Sequence, residues 1–166
     1  LQIEPLHRLI KAKGYPLCIV PEQEADDVIG TLARLYVEQG HAVVICTGDK
    51  DFAQLVCDDI VLLDTMRNRL LDVSGVQEKF GVRPDQIVDY LALVGDTSDN
   101  IPGVMKVGPK TAVKWLNEYD SLAGVVDNAA SISGKVGEYL RSSLEDLPLY
   151  RSLVTICQHV ELPFDW

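Results

Sequence analysis

Residues 42–51 read Ala-Val-Val-Ile-Cys-Thr-Gly-Asp-Lys-Asp. Five apolar residues, mostly β-branched, closed by Thr47-Gly48, predict a short buried strand at 42–46. Asp49 and Asp51 then emerge from its carboxyl end. In open α/β sheets the crevice beyond the strand ends is where ligands bind.

Working outward, about Glu22 to Gln39 has a helical period, with Val28, Ile29, Leu32, Leu35 and Tyr36 on one side, and Gly40 closes it. Before it, Leu17–Val20 reads as a buried strand ended by Pro21, and residues 3–13 as an amphipathic helix stopped by Gly14. Downstream come a helix to about Val56, a strand at Ile60–Leu63, a helix N-capped by Ser74 through Phe80, and another from Pro84 to about Val94. Alternating strands and helices with short links predict an α/β unit with a mostly parallel sheet. After Gly95, short helices and glycine turns run to about Ser133, and a long helix is predicted from Val136 to Cys157. The expected division is an α/β core at 1–94 and a helical subdomain at 95–166. There is no internal repeat.

The 166 residues are 47% apolar, enough for one core, and 24% charged, which is ordinary. No apolar stretch approaches the roughly 18 residues of a membrane span, and the N-terminus shows no signal-peptide pattern, so a cytoplasmic protein is expected. The sequence opens at Leu1-Gln2-Ile3, without Met and already helical in pattern, as a processed chain or a piece of a longer one would. Cys18, Cys46, Cys57 and Cys157 lack metal-type spacing and read as buried free thiols. His7, His41 and His159 are scattered. The net charge of −10 argues against a nucleic-acid partner, unless the acid is concentrated where bound cations reverse the local sign.

The acid is indeed concentrated. Glu24-Ala25-Asp26-Asp27 opens a helix, Asp49-Lys50-Asp51 ends a strand, and Asp96-Thr97-Ser98-Asp99-Asn100 follows a helix. Helix-dipole complementation explains Glu24 and Asp26 about equally well, and an Asp-Asn turn accounts for Asp99-Asn100. Neither accounts for Asp49 and Asp51, whose like charges need a counter-ion in a partly dehydrated crevice. The candidate ligands are Glu24, Asp26, Asp27, Asp49, Asp51, Asp96 and Asp99. An all-oxygen set suits Mg²⁺ or Mn²⁺ and not zinc. It is large enough for two ions roughly 3.5–4 Å apart, which activate a water and stabilise the leaving oxygen of a phosphodiester. A phosphotransferase with Asp49 as nucleophile is a weaker alternative, because it leaves the acids at 24, 26, 96 and 99 without a task.

Residues 103–111 mimic a phosphate-binding P-loop, but Pro109 stands where its lysine belongs and no strand precedes it. The better reading is a glycine turn between two short helices whose N–H groups meet a phosphate. Lys106, Lys110 and Lys114 recur every four residues, as on one helical face.

Glu24–Gly30, Thr47–Asp51 and Gly95–Gly103, in this order and spacing, resemble the 5′-nuclease (5′-3′ exonuclease) domain of bacterial DNA polymerase I, a family that includes the flap endonucleases. Gly108-Pro109-Lys110-Thr111-Ala112 resembles its duplex-gripping helix–turn–helix element. The resemblance runs over essentially the whole chain and implies a PIN-like fold with a helix-hairpin-helix-like C-terminal part. It implies that Glu24 and Asp26 hold one Mg²⁺, that Asp49, Asp51 and Asp99 hold a second and are catalytic, and that Asp27 and Asp96 act through water. It also implies that Gly103, Lys106, Gly108, Lys110, Thr111 and Lys114 bind DNA, with K⁺ at the Gly103–Gly108 turn. The implied reaction is hydrolysis of DNA or RNA-primer phosphodiesters at a 5′ end or flap, by a monomeric bacterial domain joined to a polymerase. Family members carry a strand with an Asp, a second Asp and a basic arch before the point matching Leu1, so these 166 residues alone are expected to cut poorly. A duplex-binding module without chemistry is the alternative.

Overall fold

The computed structural model describes residues 2–163. Its elements run α1 (Ile3–Ala12), α2 (Ala25–Glu38), β1 (Val43–Cys46), a 3₁₀ turn (Asp51–Leu55), β2 (Ile60–Asp64), β3 (Arg69–Leu71), α3 (Val73–Phe80), a 3₁₀ turn (Pro84–Gln86), α4 (Ile87–Val94), α5 (Pro109–Tyr119), α6 (Leu122–Asp127), α7 (Gly134–Ser142) and α8 (Leu147–Val154). The expected α/β architecture with a helical C-terminal part is present.

The sheet has three strands in the order β1-β2-β3. β1 and β2 pair in parallel, Val43 opposite Ile60 through Cys46 opposite Leu63. Parallel neighbours need a crossover of a dozen or so residues. Residues 47–59 supply it, built around the 3₁₀ turn at Asp51–Leu55, which buries Phe52, Ala53 and Leu55. β3, not foreseen in the sequence, returns antiparallel with Leu62 opposite Leu71.

α4 reads Ile-Val-Asp-Tyr-Leu-Ala-Leu-Val and is apolar almost all round, which places a helix inside a core. It packs against α5, α8 and the Asp51–Leu55 turn. Asp89, the buried acid on α4, accepts from the Leu122 N–H at the start of α6 and from Arg151 Nε on α8, each at 2.8 Å. One carboxylate thus ties three helices together.

Several expectations are corrected. Leu17–Val20 forms no strand: it has no ladder partner among the described residues, and Ile19 is exposed. β1 is half open, with Ile45 buried but Val44 and Cys46 exposed, because α2 packs on it while its other face is uncovered among the described residues. The cysteines are accordingly not buried: Cys46, Cys57 and Cys157 are exposed and Cys18 is half-buried. On α2 the buried positions are Val28, Gly30, Thr31 and Ala33, while Ile29 and Tyr36 face solvent. Asp72, not Ser74, caps α3, accepting from the Gly75 N–H while the Ser74 hydroxyl also donates to it. The segments after Asp49 and from Pro84 begin as 3₁₀ turns. The long helix at 136–157 is two helices, α7 and α8, interrupted at 143–146. Pro148 lies in the first turn of α8, where its missing N–H costs nothing, whereas inside a continuous helix it would remove a rung.

Candidate metal centre

Three backbone devices bring the acids together. Glu24 is the N-cap residue of α2, so Asp26 and Asp27 fall in its first turn. Beyond β1, the Asp49 N–H donates to Thr47 Oγ1 and the Asp51 N–H to Asp49 Oδ1, both at 3.0 Å. These bonds turn the chain so that both carboxylates lie at the strand end. The third segment, 96–101, closes on itself through paired Asp96–Ile101 backbone bonds of 2.8 and 2.7 Å. That closure requires two left-handed glycines in backbone contact, Gly95 at φ 81° and Gly103 at φ 64°; a Cβ on Gly103 would lie 2.4 Å from the Gly95 nitrogen.

Six of the seven predicted acids, Glu24, Asp26, Asp27, Asp49, Asp51 and Asp99, line one open hollow of about 310 Å³. Its far wall is the end of α8 and the segment after it, Leu153–Ile156. The seventh, Asp96, stands behind: carboxylate oxygens of Asp51, Asp96 and Asp99 all lie within 4.8 Å of one another.

Burial, then repulsion from Asp49, Glu24, Asp27 and Asp99, raises the Asp26 carboxyl above its ordinary pKa. Asp51 is pushed up to about 7 by burial and then by Asp49 and Asp96, against relief from Lys50. Its Oδ1 is buried and, among the described residues, has no hydrogen-bond partner. Asp96 behaves oppositely. Its burial is outweighed by hydrogen bonds from Lys50 and Ser98, which hold it below the usual carboxylate value. An orphaned buried oxygen, mutually repelling carboxylates and an all-oxygen donor set fit hard divalent cations.

Sequence reading missed the supports of this centre. Lys50 pairs with Asp96 at 2.6 Å. Asp27, predicted to act through water, accepts from the Cys157 N–H at 2.8 Å. Gln54 donates to Val154 O and accepts from the Ile156 N–H. Thr31 Oγ1 accepts from the Val160 N–H, and Arg34 Nε donates to Gln158 O. Together they strap residues 154–160 across α2 to form the far wall. Lys50, flanked by two acids, could have been flagged in the sequence; contacts spanning 100 or more positions could not.

The glycine turn follows α4 through an irregular loop, not a helix. Lys106 sits in the turn with φ 65°, off the helical face expected for it. Gly108 caps α5 with Pro109 in its first turn. Lys110 and Lys114 are exposed one helical turn apart, with Thr111 half-buried between them. None of the three lysines is in an ion pair among the described residues.

Residues 1–81 match the family model described as 5′-3′ exonuclease, N-terminal resolvase-like domain, and residues 82–166 match 5′-3′ exonuclease, C-terminal SAM fold. DNA polymerase I of Pseudomonas aeruginosa is 58% identical over 116 residues, which are 70% of this chain and 13% of that protein. A 5′-3′ exonuclease of Aquifex aeolicus is 38% identical over 162 residues, 98% of this chain and 55% of that protein. A bacteriophage T5 flap endonuclease, solved as a pseudo-enzyme-product complex with DNA and metal ions, superposes with a TM-score of 0.79 at 24% identity, covering 92% of this chain and 56% of that one. At that identity the likeness establishes the fold. The chain spans 13% and 55% of the two curated relatives' lengths.

Proposed function

The chain belongs to the 5′-3′ exonuclease family, and from that premise we propose that its acidic hollow holds divalent cations and serves hydrolysis of DNA phosphodiesters at a 5′ end or flap. The observation that carries this reading is the convergence of Glu24, Asp49 and Asp99, from three separate segments, on one hollow beside a buried Asp51 oxygen that has no hydrogen-bond partner among the described residues. Glu24 and Asp26 would hold one ion, and Asp51 and Asp99 a second, with Asp49 between them. When bound, two Mg²⁺ or Mn²⁺ ions supply an activated water and charge stabilisation for the leaving oxygen.

The chain's own residues shape and orient the centre. Asp96 fixes the loop that carries Asp99, and Asp27 and Gln54 fix the far wall. Gly103, Lys106, Gly108, Lys110, Thr111 and Lys114 grip the duplex backbone, a sequence-independent contact, and the Gly103–Gly108 turn takes K⁺. The α/β part, 1–94, and the helical part, 95–166, thus supply cutting edge and grip. The partners are duplex DNA with a 5′ end, flap or RNA primer, and a polymerase domain in the same parent protein. The domain works as a monomer in the bacterial cytoplasm, at the nucleoid, in replication and repair. The names of the relatives and the DNA and metal ions in the bacteriophage T5 complex support this reading.

Asp49→Asn tests it against a duplex-binding module without chemistry. Mn²⁺ affinity, followed by electron paramagnetic resonance, falls, while duplex affinity, followed by fluorescence anisotropy, holds or rises. Unchanged Mn²⁺ binding would favour the module.

A further inference from the structure

We propose that a second hollow, beside the acidic one, is an anion subsite: the Lys50 ammonium, with Thr97 and Asn100 next to it, takes one backbone phosphate of the DNA and leads the strand from the metal centre to the glycine turn. This rests on the reading that the chain binds DNA across that centre.

The second hollow is open, measures about 470 Å³, and has Lys50, Thr97, Asn100 and Pro102 in its wall. It adjoins the acidic hollow: Ile101 lines both, while Asp99 lines the first and Asn100, the next residue, lines the second. Pro102 directly precedes Gly103, where the duplex grip begins. Metal centre, second hollow and glycine turn thus follow one another along a single stretch of chain. A strand with one phosphate on the ions and its duplex on the turn passes over this hollow.

The charge offered to solvent there is positive, although Asp96 also belongs to the wall. The Asp96 side chain is 2% exposed and that of Lys50 is 41% exposed, with Lys50 Nζ 2.6 Å from Asp96 Oδ2. An ammonium has three N–H donors, so this pair fixes the lysine in place and leaves donors for a second acceptor. Asp96 likewise keeps lone pairs for an ion of the centre. Among the described residues, Lys50 is the one cation lining either hollow. Thr97 and Asn100 are exposed and add a hydroxyl and an amide, both of which donate readily to phosphate oxygens. The six acids of the neighbouring hollow oppose an anion until cations balance them. The contact is therefore measured in Ca²⁺, a hard cation that takes oxygen ligands.

The test is the affinity for a 5′-flap duplex in Ca²⁺, followed by fluorescence anisotropy over a range of salt. Lys50→Met makes the slope of log affinity against log salt shallower by about 0.9, the value of one phosphate contact, and Lys50→Arg keeps the parent's slope. Asn100→Gly removes the amide at a position whose φ of 58° suits glycine, and weakens binding about threefold at an unchanged slope. Replacing the phosphates of the 5′ strand one at a time by uncharged methylphosphonate finds one position that lowers the parent's slope by the same amount and lowers that of Lys50→Met no further. Lys50→Met with the parent's slope overturns the proposal. So does a Lys50→Met that loses affinity while every methylphosphonate still costs it what it costs the parent, since the lysine then acts only through Asp96. If Lys50→Met does not fold, Thr97→Glu decides: it puts a carboxylate in the hollow with the ion pair intact and weakens binding about tenfold or more, and unchanged binding overturns the proposal. A parent chain that binds no duplex removes the reading beneath the proposal; a parent that binds and a Lys50→Met that is unchanged removes the proposal alone.

Discussion

Replacing Gly103 with Ala attacks the backbone contact on which the Asp96–Ile101 loop is built. Gly103 has φ 64°, and its Cβ would lie 2.4 Å from the Gly95 nitrogen and 2.5 Å from the Val94 carbonyl carbon. These are backbone atoms, so no rotamer change relieves the overlap. Gly40 is the control: its φ is 81°, and nothing lies within 4 Å of its would-be Cβ. Both variants bear the left-handed penalty of about 1–2 kcal/mol. Gly103→Ala adds an overpacking cost of about 1–3 kcal/mol, for a total of about 2–5 kcal/mol. That is a large share of the roughly 5–15 kcal/mol typical of a domain. Urea unfolding with an unchanged slope measures each cost. Because Asp96 and Asp99 hang on this loop, Gly103→Ala also weakens Mn²⁺ binding, whereas Gly40→Ala leaves it intact. Equal costs for the two variants would refute the idea that backbone contact, and not φ alone, demands glycine at 103.

Two further outcomes follow from the same geometry. The Asp51 carboxyl, raised from 3.8 to about 7 in the folded chain, makes the folded state bind more protons than the unfolded one between those values. Its contribution to stability is therefore full below about pH 4 and lost as pH rises through about 7. Without divalent ions, Asp51→Asn gains melting temperature over the parent as pH is raised, and Mg²⁺ abolishes the advantage; a difference independent of pH would show that Asp51 is not repelled and desolvated as described. Gln54→Leu strands the Ile156 N–H and the carbonyls of Asp51 and Val154. It costs about 2–6 kcal/mol in urea unfolding, from about 1–3 kcal/mol for each of the two unpaired groups on buried residues, Val154 and Ile156; a change under about 0.5 kcal/mol would mean that water replaces the amide.

The chemistry of this chain was legible because it is written locally. Carboxylates at 24, 26, 27, 49, 51, 96 and 99 occur in three short runs, each at the end of a helix or strand that its own hydrophobic period announces. The glycines flanking the last run, and Gly108-Pro109 before α5, are local backbone signals of the same kind. What periodicity cannot report is which polar atoms find partners. Asp51 and Asp96 are both acids in acidic runs, yet among the described residues one has a buried oxygen without a hydrogen-bond partner and the other is held by Lys50 and Ser98. Apolar runs likewise state a need for burial but not its fulfilment: among the described residues, Val43–Cys46 is covered on one face only, and Leu17–Val20 has no strand to join. The antiparallel β3, the break between α7 and α8, and the strap from Val154 to Val160 across α2 all depend on neighbours. Sequence alone determined which charges this protein carries and where its backbone turns. Tertiary structure decided which charges are balanced, because burial and hydrogen bonding are set by atoms that lie far apart along the chain and meet only in the fold.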